Sequence, residues 1–192
     1  MTKISLAFAV IILSISSFAQ NWKLDPAHTK IHFTTKYLAI TDVEGEFKKF
    51  DGTFSSSKPD WTDLKTDITV QVASITTDNE MRDNHMKGDD FFNVEKFPVI
   101  TFKSKGVKMI DKSKYVLTGD LTLRDVTKTV EMPVVYGGTV KDPWGNIKAG
   151  FKATGKINRK EFNLKYNSAA GTGEAVVSDD VEFTIDAVLI KQ

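Results

Sequence analysis

The chain has 192 residues, with 26 Lys and Arg against 25 Asp and Glu, a formal charge of +1, 41% hydrophobic residues and no cysteine. This composition suits one globular domain, too apolar for a disordered chain and too polar for a bundle of membrane spans. A charge so near zero gives no electrostatic reason to expect a nucleic-acid partner, and the lack of cysteine excludes disulfides, thiolate metal sites, thiol nucleophiles and cysteine-borne lipids.

Residues 1–19 read as a signal peptide. Lys3 supplies a short positive n-region, residues 4–15 an apolar h-region, and Ser17-Phe18-Ala19 a small-x-small cleavage pattern. The apolar stretch is shorter than the roughly 20 residues a spanning helix needs. Cleavage near Ala19/Gln20 leaves residues 20–192 as the mature domain, periplasmic or secreted, with no stable membrane insertion. It removes Lys3 and brings the formal charge to zero. A chain of that length buries roughly 70% of its unfolded surface, enough to stand without disulfides.

Period-two alternation dominates the mature domain. Ile31, Phe33, Thr35 and Tyr37 share one strand face; Val43, Gly45 and Phe47 open a strand running toward Phe54; Ile68, Val70 and Val72 alternate with Thr69 and Gln71. Later strands run from Val99 to Val107, then through Leu117, Gly119, Leu121 and Leu123, and through Val130, Met132, Val134 and Tyr136. Ile147, Ala149, Phe151, Ala153, Gly155 and Ile157 form the cleanest alternation, and Val181, Phe183, Ile185, Ala187 and Leu189 close an eight-strand count. Lys58-Pro59-Asp60, Asp111-Lys112-Ser113, Gly137-Gly138, Asp142-Pro143-Trp144-Gly145 and residues 167–173 supply turns. Most links are too short for a crossover helix, so neighbouring strands should be antiparallel. The exception is a helix at residues 80–87, capped by Asn79 and ended by Gly88. A second helical turn is expected at residues 159–162.

Such strands pack as a two-layer sandwich or as a closed barrel. An eight-stranded barrel is filled by its own side chains or holds one small ligand. Gly119, Ala149, Ala153, Gly155 and Ala187 on inward faces leave room for a cavity, or merely fit the taper.

The densest polar constellation is the helix. Arg82, His85 and Asp89 can share a face, with Met81, Met86 and Phe91 turned inward. Arg82 and His85 are either head-group donors at a cavity mouth or structural ties, with Asp83 alongside. Asp25-Pro26-Ala27-His28-Thr29 precedes a strand carrying His32, but nothing requires His28, His32 and His85 to converge on a metal, and no metal site is assigned. No nucleophile elbow, Walker loop or His-Glu-x-x-His helix occurs, and Gly171-Thr172-Gly173 reads as a turn. No catalytic residue is assigned.

These residues together resemble the YceI family. Asp25-Pro26-Ala27-His28-Thr29, Val43-x-Gly45-x-Phe47, Ser74-Ile75-x-Thr77-x-Asn79-x-x-Arg82-Asp83-x-His85, Asp90-Phe91-Phe92, Phe97-Pro98, Gly119-x-Leu121-Thr122, Asp142-Pro143-Trp144-Gly145 and Ile157-Asn158-Arg159 follow its pattern in order. The sequence departs from that pattern at Asp125 and Asn163, where the family often has glycine. The resemblance implies an all-β, eight-stranded antiparallel lipocalin-like barrel that binds a polyisoprenoid or similar long-chain amphiphile, lipid or quinone-like, for transport, sequestration or storage. No other cofactor is required, and the reading is compatible with a homodimer. Lumen positions are Phe33, Ile68, Val70, Phe102, Leu117, Leu121, Met132, Phe151 and Phe183. Mouth positions are His28, Arg82, His85, Trp144 and Arg159. The competing readings are an enzyme acting on such a lipid through His85, Arg82 and Asp83, and a solid-cored stress or structural protein.

Overall fold

The alternating segments pair antiparallel throughout. The computed structural model describes residues 19–169 and 175–192. The signal-peptide reading, apart from Ala19, and Gly171-Thr172-Gly173 lie outside the described residues. Among the described residues eleven strands form: β1 (Gln20–Leu24), β2 (Lys30–Tyr37), β3 (Thr41–Phe47), β4 (Phe50–Ser56), β5 (Lys65–Gln71), β6 (Ile75–Thr76), β7 (Val99–Met109), β8 (Lys114–Leu123), β9 (Val126–Lys141), β10 (Ile147–Asn158) and β11 (Val177–Lys191). An α-helix, α1, spans Glu80–Lys87.

The hydrogen-bonded order β1-β4-β5-β7-β8-β9-β10-β11 closes on itself through β1 and β11, giving an eight-stranded barrel. The three extra strands continue lanes of that ring. β2 extends the β1 lane along β11, β3 extends the β4 lane along β2, and β6 pairs with β3. The lanes break side by side at residues 25–29, at Lys48-Lys49 and at the 3-10 turn Val72–Ser74. The segment expected to run unbroken from Val43 toward Phe54 is therefore two strands. Ser74 fastens the break, accepting from Lys49 N through Oγ at 2.9 Å and from Lys48 N through its carbonyl at 3.2 Å.

β6 has only two residues and no partner beyond β3 among the described strands, so the ring opens there. α1 and residues 88–98 cover the opening, with Met86 and Phe91 packed among Ile31, Phe47, Val70 and Ile75. The helix starts where expected: the Asn79 side chain accepts from Arg82 N at 3.0 Å. Met81 departs from expectation, lying 84% exposed on the outer face of α1. The turn at residues 159–162 forms as a 3-10 helix and ends on Asn163 in the left-handed conformation (φ 61°). In the β8–β9 turn the left-handed residue is Arg124 (φ 54°), not Asp125. Its guanidinium donates to the carbonyls of Asp89 and Phe91, tying this turn to the segment after α1.

Candidate functional site

The barrel has two unlike halves. The end holding the β7–β8 and β9–β10 turns is filled. Trp22 from β1 and Trp61 from the β4–β5 connection meet at 5.0 Å between ring centroids; Phe151 stands edge-on to Trp61 at 5.0 Å, and Tyr136 lies 5.2 Å from Phe151. Leu24, Phe54, Ala149 and Leu189 complete this plug. The small inward residues Ala149 and Ala187 thus leave no space, because the indole cluster packs onto them.

Toward the other end lies a cavity of about 360 Å³, within the range of roughly 300–1,000 Å³ usual for ligand pockets. Three phenylalanines explain why this half stays hollow. Phe33 is paired with Gly45 across β2 and β3, and Phe183 with Gly155 across β11 and β10. A Cβ on either glycine would fall 2.3 Å or 2.2 Å from the ring's Cζ, so each ring lies flat on bare backbone. Phe102 lies on Gly119 in the same way, 2.4 Å from where a Cβ would be. Glycine's missing side chain lets three bulky rings line the wall instead of filling the lumen.

Phe33, Ile68, Val70, Phe102, Leu121, Met132 and Phe183 face this cavity. Leu117 and Phe151 share the inward parity but lie nearer the plug: Leu117 packs with Tyr115 and Val134, and Phe151 against Trp61. Parity along a strand sets the side of the sheet and not the depth in the barrel. Lining residues outside the sequence-derived set include Phe91, Phe92, Leu164 and Tyr166. They come from irregular segments with no periodicity to expose them.

The lining residues Lys36, Tyr37, Arg82 and His85 are solvent-exposed and mark the mouth. His85 stands edge-on to both Phe91 and Tyr166 at 5.1 Å, on a pair stacked at 4.8 Å, with its Nε2 3.6 Å from Asp90 Oδ2. Arg82 donates through Nε to Thr77 Oγ1 at 2.7 Å and through Nη2 to the Thr77 carbonyl at 2.8 Å. Asp83 is buried and turned the other way, accepting from Thr77 N at 2.8 Å and Thr77 Oγ1 at 2.6 Å. Burial raises its pKa, but these hydrogen bonds outweigh burial and hold the carboxyl below its usual range.

The other three mouth positions are placed elsewhere or are already engaged. Arg159 borders the cavity but is 2% exposed. Its guanidinium is spent on the carbonyls of Ser178, Leu164 and Val177 and on Asp179, clamping the start of β11 to the end of β10. His28 belongs to the plugged end, with Nδ1 2.9 Å from Asp25 Oδ2. The same carboxylate takes Lys148 Nζ at 2.8 Å. Burial pushes Asp25 up, yet the bonds from Lys148, His28 and Ala27 N leave it lowered. Trp144 is 83% exposed on the β9–β10 turn, also at the plugged end. Arg159 and His28 stand close in the sequence to a turn and a kink, and their work is local. Among the described residues no group of three His, Asp or Glu is placed to hold a metal ion, and no helix is long and apolar enough to cross a membrane.

The YceI-like domain family matches residues 22–189. The UPF0312 protein plu2095 of Photorhabdus laumondii is 39% identical over 178 residues, 92% of each chain. The crystal structure of Burkholderia cenocepacia BcnA is similar at a TM-score of 0.75 and 25% identity, over 86% of this chain and 98% of that one. A polyisoprenoid binding domain from Saccharophagus degradans, described as implicated in plant cell wall breakdown, has the same fold: TM-score 0.64, 13% identity, 89% and 98% coverage.

Proposed function

The chain belongs to the YceI-like family, and from that premise we propose that it is an exported binding protein holding the tail of a polyisoprenoid or similar long-chain amphiphile. The observation that carries this is a blind apolar lumen of about 360 Å³ whose exposed polar groups gather at the mouth. At roughly 30 Å³ per water-sized group the space takes about a dozen carbons. A tail of two or three isoprene units is enclosed, and a longer one leaves its remainder at the mouth. Each buried methylene contributes about 0.8 kcal/mol, so affinity comes from burial. In this reading Arg82, through the N–H groups not given to Thr77, and His85 orient a polar head group beside the stacked Phe91–Tyr166 pair.

The polyisoprenoid class is named for the Saccharophagus protein, and likeness at that identity speaks for the fold alone; the cavity's shape and chemistry are what support the class here. Binding for transport, sequestration or storage needs no cofactor beyond the lipid. The engagement of Asp83 with Thr77, away from His85, favours binding over catalysis by these three residues. Export rests on the n-region, h-region and cleavage pattern of residues 1–19.

The test is gentle purification, organic extraction and mass spectrometry, followed by titration with a long-chain isoprenoid alcohol. Stoichiometric recovery or saturable uptake, lost in Leu121→Trp, is the expected result. No uptake of any long-chain compound by folded protein refutes the reading.

A further inference from the structure

The plugged end has a surface that the lumen does not explain. The β7–β8 turn flanks the β9–β10 hairpin, which runs on past it to Lys141 before turning. Lys114 pairs with Val135 in register, and Tyr136 N donates to the Ser113 carbonyl at 2.7 Å. Large apolar side chains stand in solvent on both turns: Trp144 at 83%, Val140 at 65% and Ile110 at 56% exposed, with Met109 and Ile147 beside them.

The β9–β10 turn is built to hold Trp144 outward. Asp142 Oδ1 accepts from Trp144 N at 3.0 Å and Asn146 N at 2.8 Å, Asp142 Oδ2 accepts from Asn146 Nδ2 at 2.9 Å, and Gly145 takes the positive φ of 93°. Asp111 closes the neighbouring turn, accepting from Ser113 N and Lys114 N at 2.9 Å each. Both turn carboxylates are thus engaged within their own turns, each with a lysine beside it, Lys148 Nζ 3.6 Å from Asp142 Oδ2 and Lys114 Nζ 3.8 Å from Asp111 Oδ2. Among the described residues Lys108, Lys112 and Lys141 have no ion-pair partner. The helical segment at the mouth has the opposite character, with six carboxylates against Arg82 and Lys87 between residues 78 and 95.

We propose that this end docks on an anionic phospholipid surface. Trp144 enters the interface, where indole with one apolar and one polar edge is favoured. Val140 and Ile147 on the same hairpin join it there, and the three unpaired lysines meet lipid phosphates. The acidic segment at residues 78–95 is repelled from the same surface, so the barrel stands with that segment away from the membrane. The inference is independent of what fills the lumen.

Tryptophan emission tests it directly, because Trp22 and Trp61 are each 5% exposed and Trp144 is the exposed indole. With vesicles containing phosphatidylglycerol at low salt, the unmodified protein is expected to co-sediment and its emission to shift to the blue. Pure phosphatidylcholine vesicles, or high salt, should produce neither effect. Trp144→Phe should remove the shift and weaken sedimentation. Combined charge reversal at Lys108, Lys112 and Lys141 should lower vesicle affinity by about a hundredfold or more. Met81→Ser, an exposed apolar change on α1, should leave binding unchanged. Three results overturn the proposal: no response to anionic vesicles at low salt, a loss in Met81→Ser equal to that in Trp144→Phe, or a concentration-dependent blue shift without vesicles, which would assign the patch to a second copy of the chain.

Discussion

Replacing Gly155 with alanine should narrow the lumen, and the structure sets the size of the effect. The new Cβ would sit 2.2 Å from Phe183 Cζ and under 3 Å from both Cε atoms, whereas ordinary contact begins at 3.4 Å. The ring tip must retreat by about 1.2 Å, and the space open beside it is the lumen that Phe183 lines. The methyl and the displaced ring together remove room for roughly one to two methylenes of ligand, about 0.8 kcal/mol each. Affinity for a bound tail should therefore fall about 4- to 15-fold. Overpacking should cost about 1–3 kcal/mol of stability, partly offset by about 0.5–1 kcal/mol from removing a strand glycine. Gly106→Ala is the control, since a Cβ there meets nothing within 4 Å. The assay is displacement of a fluorescent long-chain probe, with thermal unfolding of each variant. Adding Phe183→Leu to Gly155→Ala should restore binding. Equal affinity in Gly155→Ala and the parent, or an equal loss in Gly106→Ala, would refute the account of how the lumen stays open.

The same geometry sets other outcomes. Trp61→Ala should remove the centre of the plug, destabilise the fold by about 3–5 kcal/mol, and shift preference toward longer tails in a competition series of chain lengths. Arg159→Met should strand the carbonyls of Ser178, Leu164 and Val177 and cost about 3–5 kcal/mol in denaturant unfolding. Its effect on charged and neutral ligands should be alike, unlike that of Arg82→Gln, which should weaken only ligands with anionic or strongly accepting heads. Asp25 and Asp83 both have lowered pKa values in the fold. Their stabilisation is therefore complete above the unfolded value near 3.8 and is lost as pH falls through the lower folded values. Unfolding midpoints should be level at mildly acidic pH and drop below about pH 4, and Asp83→Asn should start lower and flatten that drop.

Which side of the sheet each residue faces was legible in the sequence; how deep it sits was not. Alternation assigned Leu117 and Leu121 to the same inward face, and both are inward, but one packs near the plug and the other lines the cavity. The missing information lies in Trp22, on a five-residue strand beside the proposed cleavage point, and in Trp61, in an irregular connection where φ is 60°. Neither segment is long enough to show a period. The lane breaks were equally hidden, because Lys48-Lys49 keeps an ordinary strand composition while Ser74 supplies the hydrogen bonds that bend it.

Motif density misled in a different way. Polar residues in a recognisable pattern invite a functional reading, and at the mouth two of them, Arg82 and His85, do line the cavity. His28, Arg159 and Trp144 come from equally distinctive motifs, yet the first two serve the joints of the barrel. A closed ring of strands must bend its lanes and fasten its long connections, and each such joint exposes backbone groups that need partners. Asp25 meets that need at the first break by accepting from Ala27 N, with His28 and Lys148 holding its carboxylate, Asp142 within its own turn, and Arg159 where β10 hands over to β11. Trp144 differs from the other two, for its turn is already satisfied by Asp142 and its indole touches nothing that the fold requires. An exposed indole held outward by a fully bonded turn contributes little to folding, which is why that residue, more than the buried charges, points to a partner outside the barrel.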